Sequence, residues 1–140
     1  MLVLYKFLRM INHDYSLYFS KMKSINLSDK FKLFNEHWTP KKIGELNGQQ
    51  LLLAKLKGEF IWHTHENEDE LFLIIKGSLK IKFRDKTIEL NEGELYIIPK
   101  GTEHKPIAEN EVHVLLFEPL AIKHTGNVIS NLTVKTFEDI

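Results

Sequence analysis

Four residues in the middle of this 140-residue chain carry ligand chemistry: His63 and His65, separated by Thr64, then Glu70, and later His104. In an extended chain, side chains two apart fall on one face, so both imidazoles of His63-Thr64-His65 point the same way. The chain holds seven histidines, and that spacing alone fits a pair of surface histidines equally well. Glu70 changes the balance. It follows the polar stretch Glu66-Asn67-Glu68-Asp69 and heads the apolar run 71–75. A hairpin through that stretch brings its carboxylate beside the imidazoles, and an ionised carboxylate at the edge of an apolar run is costly to bury alone. His104 follows Pro99-Lys100-Gly101, a turn that sends the chain back inward. Three neutral imidazoles and one carboxylate converging in an apolar interior are poorly satisfied, and a divalent ion resolves the cluster. Nitrogen and oxygen ligands of this kind suit Mn, Fe, Co, Ni, Cu or Zn rather than Ca or Mg.

The elements that must position these residues read as β throughout from about residue 43. Segments 43–46 and 49–57 flank Asn47-Gly48, a strong two-residue hairpin signal. Gly58 is expected to separate that hairpin from a strand over 59–65. Run 71–75 reads as a strand buried on both faces, and 78–84 alternates as a strand with one wet face. Shorter strands are expected at 87–90, 95–98 and 112–117. Seven or eight short strands with glycine turns, and no long amphipathic helix between them, predict an all-β sandwich or barrel. Residues 27–38 predict a helical turn or an irregular arm ended by Pro40, and the chain after Pro119 predicts an irregular tail.

Bulk composition narrows the function classes. Lys plus Arg and Asp plus Glu are 19 each, so no net field attracts nucleic acid or an acidic membrane. The chain has no cysteine, which removes disulfides, thiolate ligands and cysteine nucleophiles and suits a cytoplasmic protein. Residues 1–22 break every apolar run with residues such as Lys6, Arg9, His13 and Asp14. They match neither a span of ~20 apolar residues nor a signal peptide. They predict a loose or helical extension, and Met10 and Met22 leave room for a later natural start. The expected organisation is this extension over 1–22 and one domain over 23–140, its barrel core at about 43–120.

Two segments resemble the conserved motifs of the cupins. GEFIWHTHENEDELFLIIKG, residues 58–77, is similar to the first: a glycine, H-x-H, a glutamate after four residues, and a second glycine six residues further on. Gly77 falls in place, whereas Gly58 lies one residue closer to His63 than the usual pattern. GELYIIPKGTEHKPIAEN, residues 93–110, is similar to the second, with Gly93, Pro99, Gly101 and His104 at the expected spacing. The motif's closing asparagine would fall at Ala108, and the nearest one is Asn110.

The resemblance implies a double-stranded β-helix, the cupin or jelly-roll barrel, commonly a homodimer. It implies His63, His65, Glu70 and His104 as ligands of one divalent transition metal, such as Zn, Fe, Mn or Ni, all facing the interior. Small chains of this kind are similar to mannose-6-phosphate isomerase-like cupins. The function expected is a metal-dependent enzyme acting on a small oxygenated metabolite by isomerase- or epimerase-like chemistry. An Fe-dependent dioxygenase and a non-catalytic metal-dependent sensor are the alternatives. An enzyme and a binder differ in whether a free general acid or base stands in the pocket. His113 and Tyr96 are the sequence's candidates for that group, and no catalytic residue is assigned. Phe60 and Trp62 are expected on the face opposite the ligands, with Ile61, Phe72 and Ile74 on the ligand face. Lys100 and Lys105 flank His104 as possible contacts for an anion; His37 and Trp38 read as a packed arm, and His124 as part of a mobile tail.

Overall fold

A computed structural model describes residues 23–140. The extension expected over 1–22, with His13, lies outside the described residues. A short helix α1 (Leu27–Phe31) starts at Asn26, whose side chain accepts from the Asp29 N–H at 3.0 Å. Phe31 and Phe34 pack with Leu53 on the outside of the sheet. The arm then reaches Trp38, which is buried in the main core and whose indole N–H donates to the Lys57 carbonyl at 2.8 Å.

Eight strands follow: β1 (Lys41–Leu46), β2 (Gln49–Glu59), β3 (Glu70–Lys76), β4 (Ser78–Lys82), β5 (Thr87–Asn91), β6 (Leu95–Ile98), β7 (Lys105–Pro119) and β8 (Glu138–Asp139). The β1–β2 hairpin turns at Asn47 and Gly48, both with positive φ, as expected. The sheet path runs β5-β4-β7-β2-β1-β8, with β3 paired to β7 and β6. β7 organises it. Its first part pairs with β4 (Lys80↔Ile107), its last part with β3 (Leu73↔Leu115), and β2 accompanies its other edge. This is the double-stranded β-helix of a jelly-roll barrel, and the path stays open between β5 and β8.

Three expectations change. Gly58 does not end a strand; with φ 83 it takes up a register shift in the β2–β7 ladder, and β2 continues to Glu59. Residues 60–65 then form no regular strand, only the isolated bridge His63↔His104. β7 is far longer than 112–117, because Pro106 is tolerated near its start, where its carbonyl accepts from the Phe60 N–H at 2.9 Å. β3 is not buried on both faces. Glu70, Phe72 and Ile74 face inward, while Leu71, Leu73 and Ile75 are half-buried on an outer face that the α1 arm covers only in part.

The tail is irregular for most of its length but not loose. Ile122 and Thr125 are buried, and β8 pairs in parallel with β1, where Lys41 donates to Glu138 at 2.6 Å. Inward-facing Leu52, Leu79, Ile81, Val112 and Val114 form the centre of the core. Ile81→Ala is expected to cost about 2–5 kcal/mol through lost burial and a residual cavity. Ile129→Ala, 91% exposed, should stay within ~0.5 kcal/mol of wild type. Urea denaturation measures both, and equal losses would contradict this core.

Candidate metal centre

The fold brings together the four residues singled out by spacing. Glu70 opens β3 with its side chain inward, and His104 immediately precedes β7, whose next inward residues are Pro106 and Ala108. His63 and His104 exchange backbone hydrogen bonds at 3.1 and 3.0 Å, and Gly101 N–H donates to the His65 carbonyl at 2.7 Å. One ligand atom from each of His63, His65, Glu70 and His104 lies within 4.8 Å of all the others, and the four side chains are buried.

The donor set fits a divalent cation. Nδ1 of His63 lies 3.0 Å from the Ile61 carbonyl, and Nδ1 of His104 lies 2.9 Å from the Thr102 carbonyl. Each Nδ1–H donates there, so in the neutral ring Nε2 carries a lone pair aimed into the cluster. Nε2 of His104 nevertheless stands 3.1 Å from a Glu70 oxygen, and Nε2 of His65 stands 3.4 Å from the same oxygen. The His104 lone pair does not meet a carboxylate oxygen at such a distance without a proton or a cation between them. Nε2 of His65 is moreover buried with no hydrogen-bond partner among the described residues, an orphan of the kind a metal ion satisfies.

The electrostatics agree. Burial pushes His63 down to about 4, helped by the neighbouring His104, so this imidazole is neutral and ready to bind at physiological pH. Burial opposes charge on His104 too, but the Glu70 carboxylate outweighs it and raises its pKa. Burial likewise opposes ionisation of Glu70, yet the neighbouring His104 and His65 imidazoles reverse the effect and hold it below the ordinary carboxylate range.

Beyond the four, Phe60 departs from strand alternation. It lies in coil, is buried, and meets His63 edge-on at 5.2 Å between ring centroids. Trp62 points outward under the Arg84 guanidinium, 3.9 Å from its ring. Phe72 lines the ligand chamber as expected, and Ile74 and Ile61 belong to the core around it. His113 lies outside the barrel: it bonds Glu111 at 2.9 Å and stacks on Phe31. Glu111 also takes a hydrogen bond from His37 at 2.9 Å, and these two contacts pull its pKa down to about 2. Tyr96 packs against the core near Phe83. Neither sequence candidate for a general acid or base lines the chamber.

Residues 52–118 match the cupin domain. A crystal structure of a cupin-2 domain containing protein from Shewanella frigidimarina is 50% identical and superposes with a TM-score of 0.69, over 71% of this chain and 97% of that one. The chain belongs to the cupin family. A solved protein from Neisseria meningitidis is 33% identical with a TM-score of 0.64, covering 69% of the cupin described here and 99% of its counterpart. The Bacillus subtilis (strain 168) protein YdbB is 44% identical over 64 residues, which span 45% of this cupin and 57% of that relative.

Two residues of the cupin's chamber had no place in the motif reading. His63, Glu70, Trp38, Phe60 and Phe72 share a cavity of about 30 Å³ with Glu118 and His124. Glu118 is 4% exposed, yet its carboxyl makes no hydrogen bond or ion pair among the described residues. Its signal was present in the sequence: Val112, Val114 and Leu116 alternate inward, and the same period places Glu118 with them. His124 gave no such signal, because nothing periodic surrounds it. It is packed rather than free: the Val134 N–H donates to its Nδ1 at 3.1 Å, and burial lowers its pKa to about 4.

Burial, reinforced by Glu70 and Glu68, raises the Glu118 pKa well above the ordinary carboxyl value. Above about pH 4.3 the unfolded chain has lost this proton while the folded protein keeps it, so the group's contribution to stability falls as pH rises toward the folded value. Metal-free Glu118→Gln should therefore gain stability over wild type between pH 4 and pH 7. A difference in denaturation free energy that stays flat across that range would contradict the raised pKa.

Proposed function

We propose that this cupin is a metal-dependent enzyme that moves a proton on a small, uncharged, oxygenated metabolite, in isomerase- or epimerase-like chemistry. The observation that carries this reading is Glu118, a buried carboxyl with no hydrogen bond or ion pair among the described residues, in the same apolar-walled chamber as His63 and Glu70. A binder needs no such group, and burying it costs stability; an enzyme needs one free acid or base close to the metal. His63, His65, Glu70 and His104 would hold the ion, which when bound polarises a carbonyl or hydroxyl oxygen as a Lewis acid. Glu118 would give or take the proton, and the aromatic walls of Trp38, Phe60 and Phe72 would keep bulk water away.

The walls also speak to the substrate. Among the described residues no lysine or arginine lines the chamber, and Lys105 is paired with Glu59 on the surface. A phosphosugar has no cationic partner there, so the likeness to mannose-6-phosphate isomerase-like cupins does not extend to that substrate in this reading. A chamber of about 30 Å³ has room for only one or two waters, so only the reacting end of a metabolite enters it.

Untagged protein is expected to hold near-stoichiometric transition metal, lost in His65→Ala and His104→Ala but kept in Glu118→Gln. Metal-replete wild type, incubated in D2O with small aldoses and ketoses, should incorporate deuterium beside the carbonyl of at least one, and Glu118→Gln should not. Metal retention with no exchange on any compound would turn the reading to a binding module; oxygen uptake in place of exchange would turn it to a dioxygenase.

We further propose that the cupin is a homodimer. Leu71 and Leu73 of β3 lie between Ile97 and Leu95 of β6 on one side and Phe117 and Leu115 of β7 on the other. Leu95 and Ile97 are 54% and 51% exposed, and no described element covers them. An open apolar sheet face of this kind supports association. Sedimentation should give a dimer that Leu95→Lys with Ile97→Lys converts to monomer; a monomeric wild type would refute it.

A further inference from the structure

The segment after β7 grips the peptide that joins the two ligands of the H-x-H. The Thr64 N–H donates to Asn127 Oδ1 at 3.1 Å, and the Asn127 N–H donates to the Thr64 carbonyl at 3.1 Å. Both backbone polar groups of a buried residue are thus satisfied by one residue far along the chain. Gly126 makes this approach possible. A Cβ on it would lie 2.0 Å from the Thr64 carbonyl oxygen and 2.7 Å from its carbon, and its φ of 54 also disfavours a side chain.

The grip is itself fastened. Buried Thr125 donates from Oγ1 to the Val128 carbonyl at 2.5 Å and lies 2.7 Å from Thr133 Oγ1. His124 packs on Phe60, with ring centroids 5.4 Å apart, and Phe60 in turn meets His63. These contacts matter because residues 60–65 belong to no regular strand. A ladder would normally aim two ligands on one face, and here the His63↔His104 bridge, the Gly101 bond and the Thr64 grip replace it.

We propose that Gly126 and Asn127 are positioning residues of the metal centre, holding Thr64 so that His63 and His65 keep the spacing and aim that bind the ion. This inference rests on the four-residue metal reading. Partners that orient ligands typically change metal affinity by about 10- to 100-fold when removed.

The test is titration of the metal-free protein with Co(II), followed by visible absorption and calorimetry. Asn127→Ala and Gly126→Ala should bind cobalt about 10- to 100-fold more weakly, with an altered cobalt spectrum. Asn127→Asp keeps an acceptor for the Thr64 N–H and should bind as wild type does. Gly93→Ala is the control for strain alone, since Gly93 has φ 84 and open space around it; it should lower stability and leave affinity unchanged. Should Gly126→Ala fail to fold, the Asn127 pair decides. Wild-type affinity and spectrum in Asn127→Ala would overturn the clamp and leave the metal centre standing. No cobalt uptake by wild type would overturn the metal reading, and the clamp with it.

Discussion

The buried charge of Glu70 is the constraint on which the rest of this structure depends. A carboxylate taken out of water must be met by something positive or by good donors. Its nearest partners are Nε2 atoms of His65 and His104, and the Nδ1–H of His104 is already given to a backbone carbonyl. A neutral ring therefore offers a lone pair, not a proton, to the carboxylate. The cluster is satisfied by a cation or by excess protons, and its construction favours the cation: His63 is held neutral by burial, and His65 Nε2 has no other partner.

That requirement explains where the fold spends its rigid contacts. Glu70 and His104 stand at the start of strands and inherit their direction from the ladders of β3 and β7. His63 and His65 have no such support, because the chain leaves the sheet at Phe60 and rejoins it only at Glu70. Their aim comes from hydrogen bonds contributed by three distant places: His104, Gly101 and Asn127. The loop is precise because every neighbour fastens it, not because it has regular structure of its own.

The chamber beside the cluster combines two features that pull against stability. Trp38, Phe60 and Phe72 make it apolar, and Glu118 places a second carboxyl inside it without a partner among the described residues. Burying such a group costs free energy whether it is ionised or protonated. Perturbed titratable groups collect at functional sites for this reason, and an unpartnered one beside a candidate metal centre is more informative about chemistry than the fold, which hosts many functions.

The sequence by itself determined the all-β character, most strand positions and the four residues of the cluster. Period-two alternation, glycine turns and ligand spacing are local properties that survive without a fold. Asn47-Gly48 and the strand at 95–98 appear as read. Tertiary structure decided whatever depended on a partner far along the chain. Gly58 looks like a strand break in sequence, but β7 lies alongside and absorbs it as a register shift. Phe60 turns to the ligand side just past the end of β2, where its N–H still bonds Pro106 of β7. The segment after Pro119 has no periodicity, so nothing local shows that Gly126 must be a glycine. That necessity arises only where its backbone meets the Thr64 carbonyl, 62 residues earlier in the chain.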